Sequence, residues 1–296
     1  MAYITLIDLR GDKLVTDKKD LKKVKYFTLI FLLISSFIIL SCTTTRFTPR
    51  LISHMIPIDT LTVYQQYDKV SYHPHERTFF CMLRSENSIY IYKNDVFFNK
   101  IGGSGFSFDN FRNLSDITVG IDGFLYALDS FERSIKRFDR DGKYQSSVNI
   151  SQINSPTRFA FSHFGFIFVY DNQAKEVHSL DSFDFTTKFS FGKFQLSQVE
   201  KLFVCGDFLN IYDILQDQTF IYLINGKFDN SYSGLSFYEP FKNLLVYDDK
   251  KMIDTRTQNL LFDSEKEKSF NKENDFLIFF DENKISVHKI RYKETQ

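Results

Sequence analysis

Tryptophan is absent from the 296 residues, cysteine occurs three times, proline five and glycine twelve. So little proline and glycine excludes a collagen-like chain and a Pro/Gly-rich disordered one. Neither sign of charge prevails, since 37 basic residues balance 37 acidic ones. Nucleic-acid binding depends on clustered Lys and Arg, and a neutral chain has no bulk reason for it, so no nucleic-acid partner is expected. No GxSxG, HExxH or P-loop pattern is present, so the chemistries those motifs carry lack sequence support and no cofactor is called for. The longest uncharged apolar stretch, Phe27 to Leu40, has fourteen residues, short of the ~20 that a helix needs to cross a ~30 Å hydrocarbon core. What the chain has in quantity is Phe (35) and Tyr (16), whose flat rings pack well on pleated, half-buried strands.

The stretch from Phe27 to Leu40 follows a basic cluster of Lys18, Lys19, Lys22, Lys23 and Lys25, and it ends in Ile39-Leu40-Ser41-Cys42. A basic region followed by a short apolar one is the pattern of an export signal. The four closing residues resemble the lipobox of bacterial lipoproteins, with an aliphatic residue three before the Cys and a small one just before it. The resemblance implies a signal peptide over 1–41 and a diacylglyceryl group on the Cys42 thiol, with Cys42 as the new amino terminus. Residues 1–17 exceed what the basic region needs and are expected to be untranslated or without structure. Stable anchoring takes at least two acyl chains, which a tri-acylated Cys supplies. Residues 42–58 then read as a lipidated tether and 59–296 as the folded domain. Thr43 stands where an Asp retains many Gram-negative lipoproteins in the inner membrane. Its place there favours the periplasmic face of the outer membrane over the inner membrane or the cell surface.

Internal repetition governs the rest. Residues 117–139, ITVGIDGFLYALDSFERSIKRFD, align without a gap on 159–181, FAFSHFGFIFVYDNQAKEVHSLD. Gly123 falls on Gly165, Asp129 on Asp171, and apolar positions coincide, as Leu125 does with Ile167. Phe208 and Asp213 continue the spacing of 42, and Phe276 and Asp281 are a later echo. Each unit predicts four short strands: one before a Gly turn, a second ending at the Asp, a third after a polar loop, and a fourth beyond a turn such as Asp141-Gly142. Four antiparallel strands in ~40–50 residues make one propeller blade. The expected fold is therefore all-β, a six-bladed β-propeller, with five or seven blades as alternatives. The expected blades begin near 61, 103, 147, 191, 233 and 263. The last two are short enough that outer strands are in doubt, and LTVYQQYD (61–68) is placed to pair with the final sheet and close the ring.

Residues 102–144 resemble an NHL repeat. The likeness rests on Gly105-Phe106, Ile117-Thr118-Val119, Asp122-Gly123, Leu125-Tyr126-Ala127-Leu128-Asp129, Arg133, Ile135, Phe138-Asp139 and Gly142. Leu114-Ser115-Asp116 departs from the family's Pro-x-Gly. Only this copy matches well; the one after it is recognisable.

Candidate site residues are few. Asp129, Asp171, Asp213 and Asp281 recur at the ends of second strands, where short acidic side chains cap loops, and Gly123 and Gly165 read as turn glycines. Asp116 and Arg158 hold equivalent places in adjacent blades near the channel and are weak binding candidates, a charge pair at the funnel mouth or a structural salt bridge. His73-Pro74-His75-Glu76 is the densest group of possible metal ligands, yet it reads as a solvated loop and no metal is assigned. Cys81 and Cys205 fall in the first and fourth blades, farther apart than the ~7 Å limit for a disulfide, and are expected to be buried free thiols.

The expected function is that of a membrane-anchored envelope lipoprotein scaffolding another envelope protein, in one form as an accessory of outer-membrane protein assembly. A propeller enzyme of lyase or lactonase type and a surface adhesin are the alternatives. Fold alone does not choose among them.

Overall fold

A computed structural model of the chain describes residues 50–103, 105 and 107–293. Cys42, the expected signal peptide and the start of the tether lie outside them. The described residues form six antiparallel sheets of four strands each, arranged as a six-bladed propeller. In five blades the four strands follow one another in the chain outward from the axis, and in the sixth three do. The first, or inner, strands are Lys69–His73, Leu114–Val119, Pro156–Phe161, Val199–Cys205, Leu235–Tyr238 and Ser269–Glu273.

The blades hold together because each is covered on both faces by its neighbours. Second strands are therefore buried on both sides and read as unbroken apolar runs rather than alternating ones. Leu125–Asp129 is buried at every position, and Phe276–Phe280 at all but its first. Between blades one and two, Phe80, Met82, Ile91, Ile117, Leu125 and Phe138 form one such cluster. At ~1.5–3 kcal/mol per buried large apolar side chain, these inter-blade layers dominate the stability. The turn joining the first two strands needs left-handed backbone, which Gly123 (φ 78°) and Gly165 (φ 82°) adopt without a Cβ clash.

The ring is closed by the first of the described strands. Ile52–Thr62 pairs antiparallel with Lys284–Tyr292 as the outermost strand of blade six, in a register from Ile52 opposite Tyr292 to Thr62 opposite Lys284. This corrects the tether boundary expected at 58. Ile52 and Leu61 are buried in the inter-blade clusters, and that burial makes residues 52–58 strand rather than linker. Of LTVYQQYD, only Leu61 and Thr62 belong to the closing strand; residues 63–68 cross to blade one. Blades five and six are complete, the former with its own outer strand Asn259–Asp263.

Blade five is the least regular. Its inner strand has four residues, and the inner strands of blades four and six approach each other past it. Lys201 Nζ donates to the Phe270 carbonyl at 2.8 Å. The Phe203 and Phe270 rings lie 6.3 Å apart, with Phe237 of blade five stacked on Phe270 at 5.6 Å. Cys81 and Cys205 are free and buried; burial pushes the Cys205 thiol up to about 11.

Candidate functional site

An antiparallel blade sends its first and third connections to one face of the ring and its second connection and the inter-blade link to the other. Two ends of the axis follow, and they differ chemically.

At the end where the inner strands begin, the side chains are charged and mutually spent. The inner strands of blades two, three and four each carry a bulge at their start, skipping Ser115, Thr157 and Glu200 in the pairing. A bulge re-aims the side chains beside it. Asp116, Arg158 and Lys201 follow the bulges at equivalent positions. Asp116 is fully buried, accepts from Lys69 Nζ of blade one at 2.6 Å and from the Phe159 N–H of blade three at 2.9 Å. Arg158 donates to the Glu200 carboxylate of blade four at 2.9 Å and to its backbone carbonyl at 2.7 Å. The two weak binding candidates thus sit on strands rather than loops and do not pair with each other. Each instead ties its blade to a neighbour, because the bulge turns it sideways. Lys201 continues the circle to Phe270 of blade six, and Asn271 of blade six donates to the Val70 carbonyl of blade one at 2.9 Å. Burial, the largest influence on Lys201, brings its ammonium down to about 8.

Deeper along the axis lies a carboxylate that no sequence signal marks. Glu273, at the end of blade six's inner strand, is buried and accepts from three donors of two other blades: the Tyr72 N–H at 3.0 Å, the Thr118 hydroxyl at 2.6 Å and the Val119 N–H. Burial raises its carboxyl above the ordinary range despite the downward pull of Thr118, Val119, Lys69 and Tyr72. The sixth repeat is too degenerate for alignment to reach Glu273.

The other end opens into a funnel of about 600 Å³. Its walls come from all six blades, including His73, Val119, Phe161, Val204, Pro240 and Phe276. His73 and His163 both line it. Burial lowers His73 below the ordinary imidazole range, and its Nδ1 accepts the His75 N–H at 3.2 Å. Gly123 is required here: a Cβ in its place would meet His73 Nε2 at 2.9 Å. His75, Glu76 and Arg77 form a single 3-10 turn beside the funnel. Among the described residues no three His, Cys, Asp or Glu side chains gather as a metal-ligand set.

The recurring aspartates sit on the side of the ring where second strands end. Asp129 accepts the N–H groups of Arg112, Asn113, Phe131 and Glu132. Asp171 accepts those of Asn154, Ser155, Gln173 and Ala174. Asp213 repeats the set with Ser197, Gln198, Leu215 and Gln216. One carboxylate therefore fastens both its own blade's turn and the incoming link from the blade before. Asp281 departs from this, capping its own turn through Asn283 and Lys284 and holding the Lys268 ammonium instead of a backbone link. For Asp171, burial raises the carboxyl and the four N–H donors outweigh it, leaving the pKa below the ordinary value. Such a group stabilises the fold above its unfolded pKa, and the contribution is lost as pH falls through the folded value. Asp171→Ala is expected to cost about 3 kcal/mol at neutral pH by stranding buried donors. Denaturant titration should show the gap from the parent narrowing below about pH 4; a gap that stays constant with pH would contradict the capping role.

No family model matches the sequence, and a search of curated proteins finds no match. Solved structures do resemble it. One is a catalytically inactive virginiamycin B lyase from Staphylococcus aureus with Quinupristin, at TM-score 0.50 and 12% identity over 77% of this chain and 79% of that one. Another is the selenomethionine-substituted virginiamycin B lyase from Staphylococcus aureus, at TM-score 0.51 and 11% identity over 79% of this chain and 99% of that one. At such identities the likeness is one of fold: the chain is a β-propeller.

Proposed function

We propose that this protein is a lipid-anchored, NHL-like propeller of the cell envelope that binds another envelope protein rather than catalysing a reaction. One observation carries the reading. Every carboxylate, ammonium and guanidinium on the six inner strands is engaged: Lys69 with Asp116, Arg158 with Glu200, Lys201 with Phe270, Lys272 with the Asn274 carbonyl of its own blade, and Glu273 with blades one and two. A catalytic axis keeps such groups poised toward substrate; here all but Lys272 are spent on blade-to-blade cohesion. The connections on the face opposite the funnel expose Tyr64, Phe108, Phe131, Phe194 and Leu215, and loops on a rigid scaffold are where binding surfaces concentrate. An accessory role in outer-membrane protein assembly is one form of this reading.

The test is purification of the lipidated protein from its native membrane in mild detergent. A stoichiometric envelope protein is expected to accompany it and to be lost with the double substitution Phe131→Asp and Phe194→Asp. Cys42→Ser should release the chain from the membrane fraction. Absence of any stoichiometric partner sinks the scaffold reading. A second reading, a lyase-type enzyme, is favoured by His73 and His163 in the funnel and by the fold shared with the lyase. Conversion of quinupristin by the purified chain, abolished by His163→Ala, would establish it in place of the first.

A further inference from the structure

The funnel and the amino-terminal entry of the chain lie on the same face of the ring. The closing strand starts at Ile52, opposite Tyr292. Tyr292 ends a third strand, so it belongs to the face that carries the first and third connections, which is the funnel face. The entry point is fixed there by several contacts. Asn243, in the first connection of blade five, donates from Nδ2 to the Arg50 carbonyl at 2.8 Å. The Arg50 guanidinium stands 5.1 Å over the Phe241 ring, and the Lys293 N–H donates to the Leu51 carbonyl at 2.8 Å. Beneath them Glu239, fully buried, accepts the Tyr292 hydroxyl at 2.6 Å together with the N–H groups of Phe241 and Asn243. The point at which the chain leaves the ring is therefore pinned to this face.

From that point the distance to Cys42 is short. Arg50 stands eight positions beyond Cys42, and eight steps of fully extended chain reach at most ~29 Å. A chain acylated at Cys42 holds this face within that distance of the headgroups. Across the ring from the entry, in blades two and three, the same face exposes Ile121, Phe164 and Phe183, the last 93% accessible. All three sit on first or third connections: Ile121 and Phe164 between first and second strands, Phe183 between third and fourth.

We infer that the funnel face is the membrane-docking face: Ile121, Phe164 and Phe183 enter the headgroup region of the bilayer, while the opposite face, with Phe131 and Phe194, points away. The inference rests on the lipoprotein reading of Cys42. The occupant is the lipid surface because the tether ends on this face and is too short to carry the ring clear of it. Aromatic and aliphatic side chains on loop tips are the groups that favour a membrane interface. A protein partner is left with the opposite face.

The absence of Trp makes the test direct, because a single introduced Trp is the only indole in the protein. The full-length lipidated chain carrying F164W, F183W or F194W is reconstituted into vesicles of phosphatidylethanolamine and phosphatidylglycerol, with and without bromine-labelled acyl chains. At positions 164 and 183 emission is expected to shift to the blue and to fall about two-fold on the brominated vesicles, since an interfacial ring sits ~5–10 Å into the headgroup and acyl boundary. At position 194 it is expected to stay unchanged. Two positions on the funnel face guard against one variant misfolding, which is checked by matching melting curves. Quenching at 194 but not at 164 or 183 overturns the orientation, and so does no quenching at any position in a chain whose Cys42 is shown by mass spectrometry to be acylated. An unacylated Cys42 overturns the lipoprotein reading itself and the docking with it.

Discussion

A chain lacking residues 50–62 is expected not to form a cooperative monomeric ring. The deletion removes the buried Ile52 and Leu61 and the half-buried Met55 from the clusters between blades. At ~1.5–3 kcal/mol per buried apolar side chain the loss is several kcal/mol before any backbone bond is counted. It also removes the whole antiparallel ladder to Lys284–Tyr292. Asp59 goes too, and with it the tie to blade one, since Asp59 accepts from Arg77 and from the Tyr72 hydroxyl at 3.0 Å. Together these losses match or exceed the ~5–15 kcal/mol by which a domain is stable. The nine-residue strand Lys284–Tyr292 becomes a bare edge, which invites pairing between chains. Size-exclusion chromatography should show oligomers or aggregate, and calorimetry no cooperative transition. A monomer that melts like the parent would show that the strand is dispensable.

The second large effect is expected at the axis. Glu273→Ala strands the Tyr72 N–H, the Val119 N–H and the Thr118 hydroxyl inside the ring, at a cost of about 3–5 kcal/mol. Glu273→Gln is expected to fall between Ala and the parent. Its amide oxygen can still serve Thr118 and Val119, but its NH₂ then faces the Tyr72 N–H, donor against donor. The pH dependence follows from the raised carboxyl. A carboxyl whose folded pKa lies above its unfolded one contributes stability that is complete below the unfolded value and is lost as pH rises through the folded one. The advantage of the parent over the Gln variant should therefore narrow as pH rises, read as the shift in denaturation midpoint across a pH series. Equal stability of parent and Ala variant would remove Glu273 from any role in joining blades.

How much of this the sequence disclosed depended on whether a residue answers to the repeat. Gly123, Gly165, Asp129, Asp171 and Asp213 recur at fixed spacing because each blade must make the same turn and fasten the same link. The blade count was legible for the same reason. The closing strand was only half legible. LTVY alternates well enough to read as strand, but the stretch His54-Met55-Ile56-Pro57-Ile58 carries a Pro and faces solvent for part of its length, so it reads as linker. Its membership is decided by pairing with residues more than two hundred positions away, which no local pattern reports. The axial network was less legible still. Asp116 and Arg158 were visible as equivalent positions, but their partners Lys69 and Glu200 differ from blade to blade. A ring needs its wedges to fit one another, and it does not need them to fit in the same way twice. Glu273 belongs to that category.

The closing strand also bears on the order in which the molecule comes into being. Of the strands of the ring, Ile52–Thr62 leaves the ribosome first, yet its partner, Lys284–Tyr292, emerges last. Few contacts in a chain this size span so large a loop, and pairing across it is slow. Until the final strand arrives, the earliest segment must stay unpaired with its apolar side chains uncovered. The half-made propeller is then an open arc with two free edges. Closure is a last step that proofreads completeness: a chain truncated anywhere in blade six has nothing for its own beginning to hold.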